Sequence, residues 1–531
     1  MQDLSLSSGE SSGKSSGESS GEHPPVAAAG QSGAGRAYGT WTLAAIAAVT
    51  AVRLLWLAVP STGLYPDEAQ YWFWAQHLAF GYYSKPPLIA WVIALTTAAF
   101  GDSEFAIRLS APLLHAGAAA FVYAIAARLY DRRTGFWSAL AYLTLPGVSL
   151  SAFIISTDAV LLPCWAAALY AFIRAREPGG ERWWLVAGIA VGLGLLAKYA
   201  MVYWLISAFG LVLLVRAERR HLRPLLVAAG IAMLIYLPNL WWNWDNGFVS
   251  YLHVRDNAEL SWNLVHPLAL LEFLGSQFGV VGPLFFAALV AIVARPGRLA
   301  EPRARLLAAF ALPTLSFMLV ESLLSRAEPN WAAPAYVSGI VLIIAWALAR
   351  DWRRFVIASI ALNLAAAIAL FGTTDALAAL GVALPAKYDP LHRLRGWHEL
   401  GERVSALLAA HPGLTLLADD RELLAALIYN VHPHPFSAVE WNPIPGITDQ
   451  WRLTNNIDKH RGEDFLAVTE HGLAGEMRPD FAELTPIATI ATKSGPGGGK
   501  TYTVYIARDF QGDGRQPRRA APATAPHGRR R

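Results

Sequence analysis

Long apolar runs, divided by short polar ones, dominate the chain up to residue 373. A helix crossing about 30 Å of hydrocarbon needs roughly 20 mostly apolar residues. Stretches of this kind fall near 38–59, 104–128, 135–156, 159–175, 183–199, 200–216, 224–242, 267–294, 304–324, 333–349 and 355–373. The pattern predicts an α-helical polytopic membrane protein with about 11 transmembrane helices. The stretch 183–216 is long for one crossing and short for two. Arg174, Arg176 and Arg182 precede it, and Arg216, Arg219, Arg220 and Arg223 follow it. Arginine-rich short loops stay cytoplasmic, so the chain must cross twice.

The same rule places Arg128, Arg132 and Arg133 inside, then Arg295, Arg298, Arg303 and Arg305, then Arg350, Arg353 and Arg354. The opposite face receives the Asp67 loop, the Ser156-Thr157-Asp158 turn, the loop from Trp242 to Trp262, and the segment from Arg326 to Trp331. Few cations lie on that face, namely Lys85, Lys198, Arg255 and Arg326.

Between the first two spans, residues 85–100 hold an apolar run too short to cross, preceded by Pro86 and Pro87. They read as an interfacial or re-entrant helix. Residues 67–80 are expected beside it along the membrane, as a lid over a lipid groove with Tyr71, Trp72 and Trp74 at headgroup depth. Beyond the last span, strand-like runs at 414–417, 465–468 and 501–506 and a helical pattern over 397–410 predict a small α/β unit. An odd number of spans puts this unit outside the cytoplasm. The chain therefore divides into a disordered tail (1–37, Ser/Gly/Glu-rich and unlike a signal peptide), a membrane domain (38–373), an extracytoplasmic α/β domain (374–510) and a disordered basic tail (511–531). The glycines from Gly495 to Gly499 read as a flexible turn, since no helix follows to cradle a phosphate.

Composition agrees: 54% of residues are hydrophobic and only 15% charged, too apolar a balance for an ordinary soluble domain. The single cysteine, Cys164, excludes an internal disulfide and a cysteine zinc cluster. The net charge of +4 resides in the arginine loops and gives no support to nucleic-acid binding. Neither a Walker loop nor a Rossmann fingerprint is present.

Chemistry concentrates in Tyr65-Pro66-Asp67-Glu68, directly after the first apolar run, and in Tyr82-Tyr83-Ser84-Lys85-Pro86-Pro87. Charges are costly at a bilayer, so an acidic pair and a lysine held among aromatics at one face point to work on a lipid-borne substrate. Asp158 begins an apolar stretch, where an N-cap role is the structural alternative. Lys85 and Lys198 also suit lysines that snorkel, and Trp331 and Tyr336 suit interfacial anchors. His432 and His434 read as solvated loop histidines. Gly188, Gly192 and Gly194 read as close helix packing.

Asp67-Glu68, Lys85-Pro86-Pro87, Ser156-Thr157-Asp158 and Glu328-Pro329-Asn330-Trp331 together resemble the GT-C polyprenyl-phosphate-sugar-dependent glycosyltransferases. The likeness is strongest to the rhizobial galacturonosyltransferase branch, related to the lipid A aminoarabinose transferase and to protein mannosyltransferases. It covers roughly residues 40–350. The resemblance implies transfer of one sugar from a polyprenyl-phosphate carrier to a glycan, lipid or protein acceptor, outside the cytoplasmic membrane. By the same resemblance Asp67 and Asp158 are the catalytic carboxylates, and Lys85, Arg255 and Lys198 meet the donor phosphate. Glu68, Tyr83, Glu328 and Trp331 are expected to bind sugar or carrier, with His253 near the phosphate. Some relatives hold a metal through a glutamate before the lysine; Ser84 stands there in this chain, which counts against a divalent metal without removing that alternative, and no cofactor is assigned. A flippase is the competing reading, although its charges would gather at the midplane between repeated halves.

Overall fold

The computed structural model describes residues 33–512 apart from 60–62, 258–264, 383–384, 386–388, 390, 443, 445, 471, 473 and 494–498. Most of both expected tails, Trp262 and most of the glycine turn at 495–499 lie outside the described residues. The first helix starts at Gly33, inside the segment expected to be a disordered tail.

Among the described residues six helices are long and apolar enough to cross a membrane: Arg36–Leu57, Glu104–Leu129, Thr157–Ala175, Arg216–Asp245, Pro302–Leu324 and Arg353–Thr373. A seventh candidate is the pair Pro267–Val281 and Pro283–Val293, bent by 118°. The bend centres on Gly282 at φ 93°, where a side chain would collide with Asn363. Shorter apolar helices among the described residues are Leu88–Phe100, in the segment expected to lie along or re-enter the membrane, and Trp183–Ala197, Tyr199–Leu214 and Ala335–Leu348. The expected span at 135–156 is divided into helices Arg132–Thr144 and Pro146–Ser151. Proline lacks an amide hydrogen and pushes the residue before it out of the helical region, and Leu145 sits at ψ 130°.

Ion pairs identify the two ends of the bundle. Helix Thr157–Ala175 is about 28 Å long at 1.5 Å per residue. At its start Asp158 meets Lys198, and just past its end Arg176 meets Glu218. The segment 183–214 thus runs away from the arginine end, turns at Lys198 and returns, forming a hairpin. At that same end Arg128 and Arg174 share Glu177, Arg303 lies over Tyr130, and Arg353 lies over Trp137.

The C-terminal segment folds into one five-stranded sheet with helices against it. The strands are β1 (Thr415–Ala418), β2 (Val439–Glu440), β3 (Phe465–Thr469), β4 (Phe481–Lys493) and β5 (Gly499–Phe510). Their order is β2-β1-β3-β5-β4, with β1 parallel to β2 and β3 and the β3-β5-β4 part antiparallel. Helices Trp397–Ala410 and Arg421–Asn430 accompany the parallel part.

This unit sits on helix Pro66–Gln76 and corrects the expectation for its aromatics. Trp72 and Trp74 are fully buried. Trp72 packs on Tyr429, His434 and Phe436, and Phe73 stacks on Trp451. Burying large aromatic faces against protein releases more water than leaving them at a headgroup layer. His434 is a half-buried packing residue in this interface rather than a solvated one, held by Ile428 O at 3.0 Å.

Candidate active site

Helix Pro66–Gln76 places Asp67 in its first turn, where a carboxylate is favoured by the helix dipole. The next residue, Glu68, is wholly buried and accepts four hydrogen bonds. Two come from Arg108 at 2.8 and 2.5 Å, one from Tyr65 N and one from Ile155 N, both at 2.9 Å. Tyr65 opens the helix of Asp67, and Ile155 precedes the turn into the helix of Asp158. One carboxylate therefore pins both helix starts. Glu68 is sealed from solvent, and its oxygens are occupied by these donors.

Asp67 is half-open and accepts from Arg421 Nη1 at 2.9 Å through Oδ1. Arg421 also donates to Gln70 Oε1. Asp158 is buried and accepts from Lys198 Nζ at 2.7 Å and from Asn330 Nδ2 at 2.5 Å. It lies inside the first helical turn, with Ser156 at the N-cap position, so its carboxylate is directed at side chains rather than at backbone amides.

Lys85 is carried by a tightly held loop. Tyr82 N donates to Lys85 O, Ser250 Oγ to Tyr82 O, Asn239 Nδ2 to Phe80 O, and Tyr83 N to Gln450 Oε1. A side chain at Gly81 would collide with Trp242, so the loop approaches helix Leu222–Asp245 as only glycine allows. The Lys85 ammonium has no hydrogen bond or ion pair among the described residues. Burial pushes its pKa down, with Asp67 and Asp158 pulling upward and Lys198 and Arg421 pressing downward. A cation partly buried and unpaired in this way is prepared to meet an anion. Beside it, the His253 ring packs at a tilt on Tyr83 with centroids 4.9 Å apart, and burial with the nearby Lys85 and Arg421 charges pushes its imidazole down to about 4.

Other expected residues make contacts of their own. Arg255 is turned to the surface and paired with neighbouring Asp256 at 3.0 Å. Glu328 is half-exposed and paired with Arg326 at 2.9 Å. Trp331 is partly buried against the bundle core. Among the described residues no group of three His, Cys, Asp or Glu side chains could hold a metal ion. With Ser84 before Lys85, the donor set of the described residues does not fit a metal.

From Asp158 and Asn330 a cavity of about 350 Å³ runs into the bundle between Tyr142, Ser151, Ser156 and Tyr336. Its walls are mainly apolar, and its far polar groups are already paired: Tyr142 and Ser151 with His115, and Tyr336 with Gln277. Sequence reasoning missed Arg421, Gln70 and Arg108. It quoted Asn330 within its motif but gave it no role. For Arg421 the only local signal is Asp420, which caps its helix, and nothing local ties it to Asp67 354 residues away.

An apolar helical bundle that gathers carboxylates and an unpaired lysine at one end, beside an apolar cavity, defines a membrane enzyme acting on lipid-linked groups. Residues 84–242 match the dolichyl-phosphate-mannose-protein mannosyltransferase family model. The chain is 34% identical to the lipid A galacturonosyltransferase RgtD of Rhizobium johnstonii, over 71% of this chain and 80% of that protein. It is 28% identical to an undecaprenyl phosphate-alpha-4-amino-4-deoxy-L-arabinose arabinosyl transferase of Pseudomonas fluorescens, over 34% of this chain and 36% of that protein. The crystal structure of ArnT from Cupriavidus metallidurans bound to undecaprenyl phosphate shares the fold, with a TM-score of 0.61, 16% identity, and coverage of 88% of this chain and 98% of that one. The chain belongs to the polyprenyl-phosphate-sugar-dependent GT-C glycosyltransferases, in the branch of the rhizobial galacturonosyltransferases. It is a multi-pass membrane glycosyltransferase that uses a lipid-phosphate-linked sugar.

Proposed function

We propose that the chain transfers a single galacturonic acid residue from a polyprenyl-phosphate carrier to lipid A, on the extracytoplasmic side of the membrane. The relationship to RgtD over most of both chains supports the sugar and the acceptor. The sidedness rests on the separation of charges: the arginine loops tie together at one end of the bundle, and Asp67, Lys85 and Asp158 lie toward the other. In this reading the chain crosses about 11 times, residues 38–373 form the catalytic membrane domain, and 374–510 form an extracytoplasmic α/β domain.

The acceptor hydroxyl oxygen attacks the anomeric carbon, and the bond from that carbon to the phosphate oxygen breaks. Polyprenyl phosphate leaves with the bonding electrons, and the hydroxyl proton passes to Asp67. A phosphate is already a good leaving group, so a base for the acceptor and cations for the departing anion suffice. Lys85 meets that phosphate as a compact point charge. Lys198 and Asn330 hold Asp158 in the pocket wall, where it orders substrate hydroxyls, and Tyr83 and Trp331 flank the sugar and carrier. The observation that carries this reading is the partly exposed Lys85 ammonium, which has no hydrogen bond or ion pair among the described residues and lies on the same face as Asp67 and Asp158.

The test is a transfer assay with purified enzyme in lipid, supplied with polyprenyl-phosphate galacturonic acid and lipid A. Asp67→Asn is expected to lose at least about 100-fold in kcat, the usual worth of a general base. Lys85→Ala is expected to raise the donor KM most. Wild-type turnover in Asp67→Asn refutes the base, and lipid scrambling without a glycosidic product refutes the enzyme in favour of a flippase.

A further inference from the structure

The C-terminal unit does more than cover the membrane domain. Arg421 opens helix Arg421–Asn430, whose N-cap Asp420 accepts the amides of Glu422 and Leu423 at 2.7 and 3.2 Å. Glu422 is gripped by Arg393 at 2.7 Å, and Arg393 lies over the Tyr65 ring at 4.6 Å. Tyr429, at the far end of the same helix, packs edge-on against Trp72 and donates to Asp102 O at 3.1 Å. The guanidinium is thus delivered to the site by a helix fastened at both ends to the membrane domain.

The Nη1 group of Arg421 carries two hydrogens and uses them on two acceptors, Asp67 Oδ1 and Gln70 Oε1. Gln70 is buried and one helical turn beyond Asp67, so it fixes the guanidinium from below. The second carboxylate oxygen, Asp67 Oδ2, has no partner among the described residues, and the side chain is 42% exposed. A base needs one lone pair aimed at the incoming hydroxyl and the rest of the carboxylate held still.

The geometry points to Arg421 as a positioning residue for the transfer: the C-terminal unit clamps Asp67 through Oδ1 and leaves Oδ2 directed at the acceptor. This inference rests on the reading of Asp67 as the base. It makes the C-terminal unit a component of the active site, in the same chain.

The test measures steady-state transfer by the full chain in lipid, with polyprenyl-phosphate galacturonic acid and lipid A, for Arg421→Gln, Arg421→Lys, Asp67→Asn and the double variant. Arg421→Gln is expected to lower kcat about 10- to 100-fold with the donor KM within about threefold, the pattern of lost orientation rather than lost binding. Arg421→Lys is expected to fall between, since an ammonium restores the charge without the planar fork. Because Arg421 acts through Asp67, the double variant should be no slower than Asp67→Asn alone.

A raised donor KM with unchanged kcat overturns the inference and makes Arg421 a donor contact. Multiplying losses in the double variant overturn it too. If Asp67→Asn is inactive while Arg421→Gln works at the wild-type rate, the inference fails and the base survives. If Asp67→Asn keeps wild-type turnover, the base reading fails and takes the inference with it. Melting and size-exclusion profiles establish that each variant is folded. Should Arg421→Gln not fold, Arg421→Lys alone decides, with wild-type kcat as the overturning result.

Discussion

The charges of this site behave according to what surrounds each of them. Lys85 is left bare by its neighbours, whereas Lys198, of the same residue type and on the same face, is spent on Asp158. Burial separates the acidic residues in the same way. Glu440, at the end of β2, is buried beside Asp449, and desolvation, the Asp449 hydrogen bond and the Asp449 and Asp420 charges push its carboxyl up to about 10. An acid whose pKa rises on folding binds more protons in the folded state, so stability falls as pH climbs from the ordinary carboxylate value toward about 10. The melting temperature of the wild type is expected to drop between about pH 6 and about pH 9. Glu440→Gln, which keeps the shape and removes the titration, should melt higher at the alkaline end and show a flatter profile. Equal pH slopes in the two proteins would contradict this account.

At the scale of elements, the decisive object is the joint where two helix starts meet one carboxylate. Glu68 ties Tyr65 N to Ile155 N, the latter 87 residues beyond Glu68 in sequence, and neutralises the buried Arg108. Removing one member of such a pair leaves an unpaired buried charge and costs about 3–5 kcal/mol. Glu68→Gln is therefore expected to destabilise the protein by about 3 kcal/mol and to lower kcat while leaving donor KM nearly unchanged, read by unfolding curves and transfer kinetics together. A collapse of donor affinity with stability intact would instead make Glu68 a ligand for the sugar. The element scale also shows why some segments misled. Aromatic residues of an interfacial helix and those of a protein interface have the same composition. Only the presence of Tyr429, His434, Phe436 and Trp451 opposite Trp72 and Phe73 separates the two cases.

Taken whole, the molecule is polarised, with arginines knotted to Glu177 and Glu218 at one end and the site toward the other. Its single cysteine, Cys164, makes the sidedness easy to test once replaced by serine. A cysteine at exposed Asp245 is expected to react with a membrane-impermeant maleimide on intact spheroplasts, and one at exposed Arg219 only after permeabilisation. The reverse pattern would place the site in the cytoplasm and end the proposed reaction. Hydropathy and arginine placement made the apolar segments and the turn at Lys198 legible, because the bilayer demands satisfied backbones and low charge of every crossing. The irregular points, Leu145-Pro146 and Gly282, were hidden because a window of hydropathy averages over them.

By itself the sequence determined which segments are apolar enough to sit in lipid, which loops share a face, and which motif residues carry charge where charge is expensive. These are local properties, enforced by a solvent that tolerates no exceptions. Tertiary structure alone decided that Glu68 locks a joint, that Arg255 looks away, that Trp72 belongs to an interface, and that Arg421 grips Asp67 from 354 residues downstream. Each of those outcomes depends on what lies opposite a side chain in space, and spacing along the chain does not encode that partner.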